Sequence, residues 1–177
     1  MRRFLDRLYA ASGALAALCL AGVAVVMLVQ AALRPAGLLL RGADDIVAWL
    51  CAGSAFLAVG YTFRYGDLVR VSLLIDRLPG RLRHHAEIAS LGTALVVIAY
   101  AAWAVARFVY ESWKFHELAQ GLIQIPIWIP QMSLVLGMLI LFIAVLDEFV
   151  TLIRGGKPSY QRALEQRRQA ADFSENV

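Results

Sequence analysis

The sequence is poor in charged residues and rich in apolar ones. Only 17% of its 177 residues are charged and 60% are hydrophobic, whereas ordinary soluble domains are roughly 25% charged and 45–50% apolar. The composition therefore indicates an integral membrane protein. The net charge of +4 does not indicate nucleic-acid binding, because the cations flank apolar stretches and do not cover one soluble face.

Histidine and cysteine are too few and too scattered to build a redox or metal site. His84, His85 and His116 all lie in predicted connectors, whereas four-helix membrane cytochromes hold haem with axial ligands inside their spans. Cys19 and Cys51 lie in apolar segments without a C-x-x-C pair, so we expect them to be packing residues. No glycine-rich phosphate loop of the Walker type is present. We therefore expect no catalytic, metal-binding or cofactor-binding residue, and we predict that the chain is not an enzyme.

Four long apolar stretches account for most of the chain. They cover residues 8–33, 44–63, 88–110 and 127–153. As helices rising 1.5 Å per residue, all are long enough to cross a hydrocarbon core about 30 Å thick. The first follows Arg2, Arg3 and Arg7, as a signal peptide would, but its length of about 26 residues exceeds the roughly 7–15 of a signal sequence. We predict an all-α integral membrane protein with four transmembrane helices in a single domain and a short cytoplasmic tail at residues 154–177.

The centres of the four spans carry few polar side chains. A transporter's own substrate site would require polar or broken helices near the membrane midplane, so this chain is expected to assist another protein. In the first span, Gly13, Ala17 and Ala21 recur every four residues and would let another helix approach closely. Near the inner end of the fourth span, Asp147 and Glu148 need counter-ions, and we expect cytoplasmic arginines to supply them.

The other charges at the ends of the spans are interpreted as structural. Asp44 and Asp45 open the second span, where carboxylates complement the helix dipole. We favour this capping role over a proton or ion site. Arg107 and Glu111 lie four residues apart on one helix face, so they can neutralise each other near the outer interface.

The connector between the second and third spans is strongly basic. It carries five arginines, Arg64, Arg70, Arg77, Arg81 and Arg83. Residues 68–78 place their apolar side chains on one arc of a helix, which predicts a short cytoplasmic interfacial amphipathic helix. An interfacial linker without a partner-specific role is equally compatible with this pattern. Residues 69–75 also alternate like a strand, but a lone strand in a membrane loop has no pairing partner.

Two short motifs stand at defined places among the spans. After the second span the chain reads Val69-Arg70-Val71, Leu73-Leu74 and Asp76-Arg77-Leu78-Pro79. The fourth span opens with Ile125-Pro126-Ile127-Trp128-Ile129-Pro130. The order, spacing and four-span setting of these motifs resemble the small membrane subunit of tripartite ATP-independent periplasmic (TRAP) transporters, over nearly the whole chain.

The resemblance implies that this chain scaffolds a large multi-span permease in the bacterial inner membrane. A periplasmic solute-binding protein would deliver an organic acid, typically a carboxylate, for uptake driven by an ion gradient. The candidate partner-contact or structural residues are Arg70, Asp76, Arg77, Pro126, Trp128 and Pro130. The alternative function is a membrane anchor or assembly subunit of a redox or other membrane enzyme complex.

Charge bias predicts that both termini are cytoplasmic. Thirteen of the 17 Lys and Arg residues fall on one side of the four spans and three on the other, and cationic loops stay in the cytoplasm. In a background without Cys19 and Cys51, a cysteine replacing His116 should react with an impermeant maleimide in outer-membrane-permeabilised cells. A cysteine replacing Ser72 should be protected. The reverse pattern would overturn this topology.

Overall fold

Four long helices joined by connectors make up the fold. The computed structural model describes residues 2–64 and 80–154. The helices are α1 (Arg2–Leu33), α2 (Ala43–Arg64), α3 (Gly80–Lys114) and α4 (Trp128–Ile153). A short 3-10 turn, Arg34–Ala36, follows α1. Within these ranges the only strand-like pairing is an isolated bridge between Leu118 and Pro126.

All four helices are long and apolar enough to cross a membrane, which confirms the four-span prediction. The third helix differs from its predicted span, because α3 begins at Gly80 and not near residue 88. Hydropathy marks where the membrane begins, whereas a helix satisfies its own backbone hydrogen bonds and can continue into water. The predicted interfacial helix, with Arg70, Asp76 and Arg77, lies outside the described residues, as do residues 155–177.

The helices pack side by side in the order α1, α2, α4, α3. Helix α2 is antiparallel to α1 and parallel to α4, and α3 returns antiparallel along α4. Helix α1 meets α4 only marginally, and no extensive contact joins α1 to α3 within the described residues. The arrangement is therefore an open row in which α1 and α3 form the two edges.

Small residues allow the backbones in this row to approach closely. At Gly137 of α4, an added Cβ would lie 2.5 Å from the backbone oxygen of Phe56 in α2. At Gly13 of α1, an added Cβ would lie 2.7 Å from the Tyr61 ring. The predicted small-residue face of α1 is therefore used at Gly13, whereas Ala17 is exposed.

The packing of α2 on α4 gives a direct test. Gly137→Ala should destabilise the protein by about 1–3 kcal/mol, because the new methyl group meets backbone that cannot rotate away. Gly92→Ala is the matched control, since its Cβ would lie 3.5 Å from Phe149, an ordinary contact. Alanine should there stabilise α3 by up to about 1 kcal/mol. Thermal unfolding in detergent measures both, and equal stability of the two variants would contradict the close approach of α2 and α4.

Candidate functional site

Arg64, the last residue of α2, joins three helices at one end of the row. Its Nη2 donates to Asp6 Oδ1 of α1 at 3.3 Å, and its Nη1 donates to Asp147 Oδ2 of α4 at 3.2 Å. Glu148 Oε2 lies 3.9 Å from the same Nη1. The expectation that a connector arginine neutralises Asp147 and Glu148 is confirmed.

Burial makes this cluster energetically important. Glu148 is only 3% exposed, and Tyr9 of α1 is fully buried with the Arg64 Cζ atom 5.7 Å from its ring centroid. A buried carboxylate is tolerated only when it is paired, so Arg64 holds the ends of α1, α2 and α4 at one level. The described residues contain no group of three His, Cys, Asp or Glu side chains that could bind a metal ion.

At the opposite end of the row, Asp45 binds the connector between α3 and α4. Its Oδ2 accepts the backbone N–H groups of Leu122 at 2.8 Å and Ile123 at 3.3 Å. A Cβ at Gly121 would overlap the Asp45 carboxylate, and one at Gly42 would overlap Ile123. Asp45 therefore holds a distant connector in place, a role that the capping interpretation missed.

That connector is a small hairpin, residues 117–127, which we call the outer hairpin. The Ala119 N–H donates to the Ile125 oxygen at 2.9 Å, and the Ile127 N–H donates to the Glu117 oxygen at 3.0 Å. Pro126 lies between these two bonds, opposite Leu118. A proline is tolerated there because this position needs no amide donor.

Helix α3 ends in a Schellman motif that leads into the outer hairpin. The Glu117 N–H donates to the Ser112 oxygen at 3.1 Å, and the His116 N–H donates to the Trp113 oxygen at 3.3 Å. His116 has φ 52°, the left-handed conformation that this motif requires. The apolar contact that usually accompanies the motif is replaced by a hydrogen bond of 2.8 Å from Ser112 Oγ to Glu117 Oε2.

The other predicted residues of the fourth-span motif open α4. Trp128 is the first residue of the helix and Pro130 the third, where a missing amide leaves no intrahelical bond unmade. Ser133 Oγ donates to the Pro130 oxygen at 2.7 Å. The structure thus places Pro126, Trp128 and Pro130 together at the Asp45 end of the row, away from Arg64.

Asp45 and Arg64 are separated by about the thickness of a membrane. They stand 19 residues apart on α2, which is about 29 Å of helix, against a hydrocarbon core of about 30 Å. On α4, Trp128 and Asp147 are also 19 residues apart. The spacing of the two polar clusters therefore matches the thickness of a hydrocarbon core, and Trp128 lies at the Asp45 level, as expected of an aromatic side chain at an interface.

Comparison with known families gives this arrangement a context. A family model described as "Tripartite ATP-independent periplasmic transporters, DctQ component" matches residues 23–155. The chain belongs to this family. The DctQ match runs from within α1 to just beyond α4, and it confirms the resemblance seen in the two sequence motifs. No curated protein matches the sequence.

The DctQ family is a transporter component and not an enzyme family. Its members are the small subunits of TRAP transporters and work with a large permease and a binding protein. Together with the four apolar helices, membership makes this chain a multi-pass membrane protein of a transport system. The family match therefore favours a transport function over the alternative of a membrane anchor or assembly subunit of a redox or other membrane enzyme complex.

A comparison with Asp44 separates the hydrogen bonds of Asp45 from a helix-dipole effect. Asp45→Ala should lower the free energy of unfolding by roughly 1.5–3 kcal/mol, the range for hydrogen bonds to a charged group. Asp44→Ala is the control, because Asp44 is exposed in the same first turn and has the same dipole interaction. Thermal unfolding in detergent measures stability, and maleimide labelling of a cysteine replacing Leu122 reports loosening of the hairpin. Equal effects of both substitutions would contradict the contact.

Proposed function

We propose that this chain is the scaffold subunit of a TRAP-type secondary transporter in the bacterial inner membrane. It holds the large permease during ion-gradient-driven uptake of an organic acid, typically a carboxylate, which a periplasmic binding protein delivers. The observation that carries the proposal is the DctQ match over residues 23–155, since it covers most of the membrane-spanning part of the chain.

The described spans support a scaffold and not a substrate pathway. Helices α1 to α4 run without a break through their described lengths, whereas transport sites are typically built from discontinuous helices near the midplane. Two described polar contacts between distant segments lie at the two ends, where Arg64 of α2 pairs with α1 and α4 and Asp45 of α2 binds the outer hairpin. Such an element is suited to remain in place while a partner moves, and the solute and coupling-ion sites then belong to the permease.

The proposed orientation puts the Arg64 end in the cytoplasm and the Asp45 end in the periplasm. Its support is the excess of cations beside the Arg64 end, because cationic loops resist translocation. The outer hairpin and the start of α4, with Pro126, Trp128 and Pro130, then face the compartment of the binding protein. A stiff, donor-poor segment with an exposed Pro126 suits a docking surface on that side.

The basic connector is the proposed cytoplasmic contact with the permease. Arg70, Asp76 and Arg77 fall within the motif that resembles the family, and the planar guanidinium of arginine can bind a carboxylate or backbone oxygens through two bonds. On an interfacial helix, Asp76 would lie about 240° round the helix axis from Arg70, so the two side chains would point in different directions and would need different partners.

Co-purification with the permease tests the proposal. A tagged wild-type chain should recover a large multi-span permease from host membranes in mild detergent. Arg70→Lys retains the charge but loses the planar fork, and Asp76→Asn removes a charge. Each should reduce recovery of the permease, by amounts that roughly add in the double variant.

Arg41→Lys is a control, because Arg41 is an exposed cation at the other end of the row. Absence of the permease from the wild-type preparation would refute the scaffold function. Full recovery with both single variants would leave the scaffold function intact and reduce the connector to a basic linker that only sets topology.

A further inference from the structure

Helix α3, at one edge of the row, carries a stripe of four aromatic and charged residues whose side chains are largely exposed. Tyr100 and Trp103 have ring centroids 6.0 Å apart, and the Arg107 Cζ atom lies 5.6 Å from the Trp103 ring centroid. Arg107 Nε donates to Glu111 Oε1 at 2.9 Å. We call these four residues the α3 stripe.

The α3 stripe points away from the rest of the subunit. At 100° per residue, its members fall within an arc of about 80°. The hydrophobic residues that α3 buries, Leu91 and Val109, lie on the opposite side of the helix, where Leu91 packs with Val145 of α4. Tyr100 is 68% exposed, Trp103 56% and the Arg107 side chain 62%, so the row itself leaves the stripe uncovered.

The depth of the stripe makes this exposure costly. Gly92 lies against Phe149, close to the level of Asp147 and the Arg64 cluster. Tyr100 is eight residues further, about 12 Å along the helix, and so stands near the middle of a hydrocarbon core about 30 Å thick. Its described contact is the Trp103 ring, which cannot accept the hydroxyl hydrogen as an oxygen would. A polar group without a hydrogen-bond partner at this depth is strongly disfavoured in lipid.

Lipid headgroups and a second copy of this chain fit the α3 stripe poorly. A phosphate at the membrane surface can reach Arg107, but it cannot reach Tyr100 near the midplane. In a symmetric pair with both copies in the same orientation, the α3 stripe of one copy lies opposite the same stripe of the other. Tyr100 would then have a second phenol as its neighbour, and since only one of two facing hydroxyl groups can donate to the other, one hydroxyl hydrogen would remain without an acceptor.

We infer that the α3 stripe binds a membrane-spanning helix of the large permease. This inference rests on the proposed function and names the surface and the chemistry of the contact. The partner helix carries a hydrogen-bond acceptor at the depth of Tyr100 and small or polar side chains opposite Trp103 and Arg107, since small residues allow close helix approach in a membrane. The Arg107–Glu111 pair is already neutral, so the partner needs no charge of its own there.

Site-specific cross-linking in the intact complex tests the inference. The photoreactive residue p-benzoylphenylalanine replaces Tyr100 in the tagged full-length chain, and illumination of host membranes should join it to the large permease. Leu18 is the matched control position, because it is also 68% exposed and lies at a similar depth on α1, the other edge of the row. We expect at least tenfold more permease adduct from position 100 than from position 18.

Three outcomes would overturn the inference. They are an adduct at twice the 19.5 kDa mass of the chain, an adduct with lipid alone, and equal permease adducts from positions 100 and 18. If the wild-type chain recovers no permease, the proposed function itself fails. If the wild type recovers the permease but position 100 does not cross-link to it, only the α3 surface is wrong.

A second variant tests the hydrogen bond without a photoreactive group. Tyr100→Phe keeps the ring and removes only the hydroxyl, and hydrogen bonds between membrane helices are worth about a threefold change in an equilibrium. The ratio of permease to tagged chain after a detergent challenge should therefore fall about threefold. Leu18→Ala should leave the ratio unchanged, and an unchanged ratio in Tyr100→Phe would remove the hydroxyl from the contact.

Discussion

The ion pairs of Arg64 are the interaction on which the register of the helices depends. One guanidinium contacts carboxylates from α1 and α4 while it is covalently part of α2. Glu148 is almost completely buried beside it, and a buried charge that loses its partner costs about 3–5 kcal/mol. Sliding α4 by one turn, about 5.4 Å, would break these contacts, so neighbouring registers are excluded even though apolar surfaces alone would tolerate them.

The Arg64 cluster fixes the relative height of the helices but not their tilt. A second contact is therefore needed at the other end. Asp45 supplies it at the other end of α2, through the backbone of the outer hairpin. Between these two points, Gly137 lets α2 and α4 approach closely. Helix α2 is therefore the central element of the row. The distance along it from Asp45 to Arg64 is close to the thickness of a hydrocarbon core.

Local patterns in the sequence predicted the parts of this structure that are themselves local. Hydropathy predicted the four spans, and the i, i+4 spacing predicted the Arg107–Glu111 pair. Only the residue type of the counter-ion for Asp147 and Glu148 could be predicted, since the cations on that side are, apart from Lys157, arginines. The Asp45 contact could not be predicted, because its partners are backbone amides 77 and 78 residues away. The open order of the helices depends on which apolar faces match, and hydropathy does not encode this.

The polar groups of this subunit fall into two kinds. Some are paired within the chain, and others are left for a partner to pair. At both ends of the row, a charged group is paired within the chain, since Arg64 contacts carboxylates of other helices and Asp45 accepts backbone N–H groups of the outer hairpin. On the outward face of α3, Arg107 and Glu111 pair with each other, whereas the described contact of Tyr100 is the Trp103 ring, so its hydroxyl near the midplane is the group left for a partner. A subunit that only had to fold would have no reason to place a phenol there, since phenylalanine would pack against lipid equally well. The cost of that hydroxyl in lipid is therefore available as binding energy, and it favours a neighbour that offers an acceptor over one that offers only apolar surface.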